Sequence, residues 1–234
     1  MDIIQFIHVN KQYGQDEAAV DALTDIDLTV EKGEIIAILG PSGSGKSTLL
    51  HIAGALDRVS AGSIKINEED ITNFKDDQLT KLRRNKIGFV FQDYGLLLNL
   101  TVTQNIELGA KLSKEPADVG ELIQAVELGD HKEKFPSQMS GGEQQRVSIA
   151  RALAKKPEVL FCDEPTGSLD EATGKKVLAV LQKVNKDYNT TLVIVTHNPG
   201  IAYIANRIIK MNSGKIVEMV KNETITAAAD IRWS

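Results

Sequence analysis

The chain is short of cysteine, of long apolar runs and of basic charge, and each shortage narrows what it can be. One cysteine, Cys162, excludes an intrachain disulfide and fits a reducing cytosol. Its neighbours Val159, Leu160 and Phe161 are apolar, so an inert core thiol is expected. A membrane span needs about 20 mostly apolar residues, whereas the uninterrupted runs here are short, such as Ile35 to Leu39 and Leu192 to Val195. Met1-Asp2-Ile3-Ile4-Gln5 leads into no basic-then-apolar pattern, so no signal peptide is expected. These features predict a chain soluble by itself, with any membrane role supplied by a partner. With 27 basic against 32 acidic residues the net charge is −5, which argues against a dedicated nucleic-acid binder. There is no internal repeat and no low-complexity stretch. A length of 234 residues fits one domain, with room for an inserted lobe.

What is present is punctuated by glycine. Asp2 to Val9 and Ala22 to Val30 read as strands, the second alternating at Ile26, Leu28 and Val30. Gly33 turns the chain into Glu34 to Leu39, a run with no polar face, as in a strand buried on both sides of a parallel sheet. Val159 to Cys162 and Thr191 to Val195 repeat that pattern. Helical patterns lie between them, which predicts an α/β layered fold. Ile208 to Met211 and Lys215 to Glu218 form a hairpin through Asn212-Ser213-Gly214. From about Asp93 to Lys155 the strand signal vanishes, which predicts a helical lobe inserted into the α/β core. Residues after Lys221 read as a loosely held tail.

Gly40-Pro41-Ser42-Gly43-Ser44-Gly45-Lys46-Ser47-Thr48 follows a buried strand and opens a helix, the context in which such a loop cradles phosphate. Its glycines let backbone N–H groups converge, and the helix start adds positive potential. Lys46 is placed to reach β- and γ-phosphates, and the Ser47 hydroxyl to ligate Mg²⁺. Asp163 and Glu164 end a second buried strand. Successive strand residues face opposite ways, so Asp163 is expected to support the metal and Glu164 to orient or deprotonate the attacking water. Thr196-His197 ends the third run in the same manner, which places His197 at the ligand crevice, while His8, His51 and His131 have no such context. Ser140-Gly141-Gly142 starts another helix, with Val147, Ala150 and Ala154 at helical spacing. One nucleotide per chain is already served by the first loop. A second anion cradle on a separate lobe therefore hints at a nucleotide held by another subunit.

These segments resemble the motifs of ABC transporter ATPases: the phosphate loop, Gln92 after Gly88-Phe89-Val90-Phe91, Ser140-Gly141-Gly142-Glu143-Gln144, Asp163-Glu164, Ser168-Leu169-Asp170 and His197. The resemblance reaches to about Val220. It implies a P-loop NTPase (RecA-like) α/β core over 1–92 and 156–222, with an N-terminal antiparallel β subdomain, a helical signature subdomain over 93–155, and a tail over 223–234. It also implies two ATP molecules held with Mg²⁺ between two copies of the chain, each site combining one copy's phosphate loop with Ser140, Gly141 and Gly142 of the other. Tyr13 would stack on adenine, Gln92 would join the γ-phosphate and Mg²⁺ to the helical lobe, and Asp170 would act across the dimer. Met139 and Glu143 stand where leucine and glutamine are usual.

Phe91-Gln92-Asp93-Tyr94 with Leu96-Leu97-Leu98, and Asp163 to Asp170, are similar to the lipoprotein-release, macrolide-export and cell-division branch. That branch implies an integral-membrane permease as a separate partner and a place on the cytoplasmic face of the membrane. The run Tyr94 to Leu100 is either part of the groove for the permease or packing for the lobe, and a mixture is expected, with most leucines buried and one or two exposed. A soluble ABC-type ATPase acting on DNA or ribosomes is the competing reading, but no coiled-coil insertion, tandem cassette or basic surface is visible. A generic P-loop kinase or GTPase is disfavoured by Ser140-Gly141-Gly142 and His197, and no guanine-reading Asn-Lys-x-Asp motif is present. A catalytically dead cassette conflicts with intact Lys46, Asp163, Glu164 and His197.

Overall fold

A computed structural model describes residues 1–233, Glu17 through its backbone only. The two β-rich opening segments become β1 (Asp2–Tyr13) and β2 (Val20–Glu31), paired antiparallel. Ile26, Leu28 and Val30 face inward, as their alternation predicts, and pack with Ile4, Phe6 and Val9. After β3 (Ile35–Leu39) and α1 (Lys46–Ala53), β4 (Ala61–Ile66) and β5 (Glu69–Asp70) complete this first sheet in the order β2-β1-β4-β5.

The second sheet is mostly parallel. α2 (Asp76–Lys86) leads into β6 (Ile87–Val90), and the helices α3 (Val102–Ala110), α4 (Val119–Ala125) and α5 (Gly141–Leu153) follow. Then come β7 (Val159–Asp163), α6 (Glu171–Tyr188), β8 (Thr191–Thr196), β9 (Arg207–Asn212) and β10 (Lys215–Lys221). The sheet order is β10-β9-β3-β8-β7-β6, all parallel except the β9–β10 hairpin. Ser213 and Gly214, both at positive φ, make that hairpin's tight turn.

Strand periodicity explains the two cores. Ile35, Ala37, Leu160, Cys162, Leu192 and Ile194 face α5 and α6, while Ile36, Ile38, Phe161 and Val195 face α1 and the antiparallel sheet. Both faces are covered, so β3, β7 and β8 carry no polar side. Cys162 is buried and unpaired, and burial pushes its thiol upward, the behaviour of an inert core residue.

Four features differ from the sequence expectation or refine it. β6 is a parallel strand that was not isolated, because its run is short and broken by Gly88, where a Cβ would meet Leu160 and Pro157. Among the described residues 93–155 hold no strand, but the helical lobe has no core of its own: Val102, Ile106, Leu122 and Val147 share one cluster with the sheet residues Leu160 and Ile194. The supposedly loose tail is docked. Ala228 and Ile231 are buried, Gln182 bonds both Thr226 O (2.9 Å) and Ala228 N (2.8 Å), and Trp233 covers Gly174; residue 234 lies outside the described residues. A few apolar anchors suffice to hold an otherwise polar segment against α6.

The leucines after Gln92 are the expected mixture in part, with two exposed, but the others are half-buried rather than buried. Leu96 and Leu100 are half-buried, whereas Leu97 and Leu98 are 48% and 69% exposed. The physical reason is the fully buried Asn105. Its amide bonds Leu97 N and O, Leu100 O and Thr101 O, so the loop is tied down by its backbone and its side chains are left outward.

Candidate functional site

The loop after β3 starts α1 with Gly45 at φ +97° and leaves the space beside Gly43 open. A side chain at Gly45 would strike the Ala22 carbonyl, so the tight turn needs glycine there. Ser42 to Thr48 line a cleft of about 490 Å³ with Val20, Asp21, Ala22, Glu164 and His197. Lys46 lies buried beneath, its ammonium donating to Gly40 O (2.8 Å) and Pro41 O (2.9 Å). The Ser44 hydroxyl is buried without a partner among the described residues.

Asp163 ends β7, and its Oδ1 stands 3.4 Å from the Ser47 hydroxyl. Burial pushes the Asp163 carboxyl upward and Glu164 adds to this, while His51, Ser47 and Lys46 oppose it. A hydroxyl beside a carboxylate held in this way is a hard-oxygen pair that suits Mg²⁺. Glu164 takes a left-handed backbone, φ +47°, and its N–H donates to Val195 O (2.9 Å). Its side chain therefore leaves β7 toward the cleft rather than along the strand. There Oε1 lies 2.9 Å from His197 Nδ1, and Oε2 accepts from the His197 N–H at 3.3 Å.

Ser140, Gly141 and Gly142 do not line this cleft. Ser140 caps α5 in a reciprocal arrangement with Glu143. A Cβ on Gly142 would meet Thr173, and one on Gly141 would meet the Tyr94 hydroxyl, so the helix start is pressed against α6 and the segment after β6. The chain thus carries two helix N-termini suited to anions, and only one of them opens on the cleft with the carboxylates.

The family described as ABC transporter matches residues 23–167, more than half of the sequence. The chain belongs to the ABC transporter family. It is 44% identical over 99% of its length to the putative ABC transporter ATP-binding protein MG065 homolog of Mycoplasma pneumoniae, of which it covers 50%. It is 43% identical over 97% to the macrolide export ATP-binding/permease protein MacB of Neisseria meningitidis, of which it covers 36%. The chain therefore spans half or less of the length of these relatives. In contrast, it covers 95% of the ABC transporter ATP-binding protein MJ0796 of Methanocaldococcus jannaschii, at 41% identity. A dimeric, post-hydrolysis structure of that cassette with ADP and Pi superposes with a TM-score of 0.85, at 38% identity and covering 94% of this chain and 98% of that one.

Three further positions expected to serve the site, Tyr13, Gln92 and Asp170, are not among the residues that line the cleft. Tyr13 is 43% exposed, its hydroxyl donating to Asp57 (2.6 Å) with the lining residue Thr48 close by and Lys11 4.6 Å from the ring centre. Gln92 follows β6 and lies against Gly167. Asp170 caps α6, accepting from Thr173 N (3.0 Å) and Oγ1 (2.7 Å), and these bonds hold its carboxyl below the usual range.

His8, His51, His131 and Tyr94 make contacts that their local sequence does not signal. His51 acts on Asp163 from α1, His8 pairs with the exposed Asp25 and Asp27, and His131 pairs with Glu143 at 3.2 Å. Tyr94 bonds Ser168 (3.0 Å), joining the segment after Gln92 to the turn before Asp170. None of these pairs has a local sequence signal, because each bridges separate segments.

Proposed function

We propose that this cassette binds and hydrolyses ATP with Mg²⁺, and that two copies close around two ATP molecules to drive a membrane permease. The observation that carries this reading is the separation of the Ser140-Gly141-Gly142 helix start from the cleft containing the phosphate loop, Glu164 and His197. A second copy turned head-to-tail supplies the missing wall.

The loop N–H groups from Ser42 to Thr48 and the α1 terminus bind the phosphates. Lys46 gives up the Gly40 and Pro41 carbonyls and turns its charge to the β- and γ-phosphates. Ser47 and Asp163 would hold Mg²⁺, with Gln92 reaching the same end of the site; the ion supplies charge neutralisation at the phosphates. Glu164, held by His197, orients water and accepts its proton at a carboxylate oxygen. His197 then offers its exposed ring edge to the γ-phosphate. Tyr13 stacks on adenine at the rim, and Asp170 faces the second copy.

A membrane permease is the expected partner, with this cassette at the cytoplasmic face of the membrane and export or mechanical transmission as the output. MacB relatives carry macrolide export in their names, which favours efflux of an antimicrobial, peptide or lipoprotein cargo. No helix among the described residues is long and apolar enough to cross a membrane.

Glu164→Gln tests the central claim. The variant keeps ATP binding, loses turnover by about a hundredfold or more, and elutes as an ATP-dependent dimer in gel filtration. A variant that stays monomeric at every ATP concentration overturns the composite site.

A further inference from the structure

Glu143 uses both carboxylate oxygens. Oε2 accepts from the Ser140 N–H (2.7 Å) and hydroxyl (2.9 Å), and Oε1 lies 3.2 Å from His131 Nε2. Glu143 and His131 side chains are each 24% exposed. The other ring nitrogen of His131 is buried with no partner among the described residues, so the ring's polar contact is with Glu143. Burial presses the Glu143 carboxyl upward, but the Ser140 bonds and the charges of His131 and Arg146 outweigh it and hold the group ionised.

A serine hydroxyl has one proton to donate. Here that proton is committed to Glu143, inside the chain's own helix cap. If the serine is to donate to a phosphate, the carboxylate must release it, and an ionised carboxylate beside a phosphate also repels it. A positive imidazolium on Oε1 weakens both effects; a neutral ring weakens neither.

We propose that His131 is a positioning residue for Ser140: acting through Glu143, its charge decides whether the serine hydroxyl stays within its own chain or donates to the γ-phosphate of an ATP held by a second copy. This rests on the composite site proposed above. ATP-driven closure therefore depends on the side chain that meets Glu143 from position 131.

The other charged groups near this cap do not mimic the effect. Arg146, on the same helix, is buried and anchored to Val126 O (2.9 Å). Asp130 and Lys132 flank His131 on an exposed turn. α3 meets that turn through backbone bonds to Lys132 O and Lys134 O and has no acidic residue in its first turn. From α6, Asp170 is held by Thr173, and Glu171 is paired with Lys175 (2.8 Å).

The test uses the full chain carrying Glu164→Gln, so that turnover does not consume the ATP. Half-saturating ATP for dimer formation is measured by gel filtration for the parent and for variants at position 131. His131→Gln raises it about fivefold, the size of one partly exposed charge interaction. His131→Arg keeps it at or below the parent value, and Glu143→Gln removes the difference between arginine and glutamine at position 131. His131→Gln matching His131→Arg overturns the proposal. Ser140→Ala separates this from the underlying reading: if it leaves the ATP-driven dimer intact, the composite site itself fails. If it abolishes the dimer while the His131 variants respond alike, only the role of His131 fails.

Discussion

Single side chains in this cassette are tuned mainly by what burial does to charge. Asp163 and Lys155 show this in opposite senses. Asp163 is pushed upward by burial and partly relieved by Ser47, Lys46 and His51, so its carboxylate sits where added positive charge is welcome. Lys155 donates to Arg83 O (2.7 Å), yet burial, with help from the Arg83 charge, lowers its ammonium to about 8. The folded-state value lies below the unfolded one, 10.5. Between these values the unfolded chain holds more protons, so stability rises with pH from about 8 upward; below about 8 both states are charged and the folded state bears the full penalty. Lys155→Met is therefore expected to gain about 1 kcal/mol at neutral pH after allowance for solvent screening and the lost hydrogen bond. That gain shrinks toward pH 10.5, as urea denaturation at several pH values would read. A variant less stable than the parent at neutral pH would contradict the penalty.

At the scale of elements, close approach of backbones decides how the helical lobe is joined. Gly109 on α3 lies against α5, where a Cβ would run into the Arg151 carbonyl and the Ala154 methyl. The neighbour is a helix backbone and cannot swing aside. Gly109→Ala is expected to cost about 2 kcal/mol despite alanine's better helix propensity, seen as a Tm lower by roughly 4–8 °C; an unchanged Tm would show that the helices can slide apart freely. The same device recurs at Gly142 against Thr173, which ties the start of α5 to the first turn of α6. The docked tail closes the other side of α6 through Trp233 on Gly174. α6 is thus held between the Ser140-Gly141-Gly142 helix start and the last described residues, and Asp170 at its cap is positioned by both.

For the whole molecule, one apolar surface open to a partner is the segment after Gln92. Leu97 and Leu98 stand out from a loop whose backbone Asn105 holds in place. The side chains are therefore presented by a rigid base. Replacing both by serine is expected to reduce co-purification with a membrane permease about tenfold or more, while leaving the ATP turnover of the isolated chain within about twofold. Unchanged co-purification would remove this surface from the proposed interface.

The same scale separates what was legible in the sequence from what was not. Local patterns sufficed for the phosphate loop at Gly40 to Thr48, for the apolar runs of β3, β7 and β8, for the acids and histidine at their ends, and for the capped start of α5. Each is read within a few residues, because strand periodicity, glycine conformations and helix caps are short-range physics. Tertiary structure decided what depends on contacts between distant segments: that Ser140 lies away from the cleft, that His131 meets Glu143, that Tyr94 meets Ser168, and that the polar tail docks on α6. It also turned Leu97 and Leu98 outward, because one buried asparagine satisfies the loop backbone in their place. The sequence names the groups that hold a phosphate; which of them share a cleft is set by the packing of the helices and the sheet.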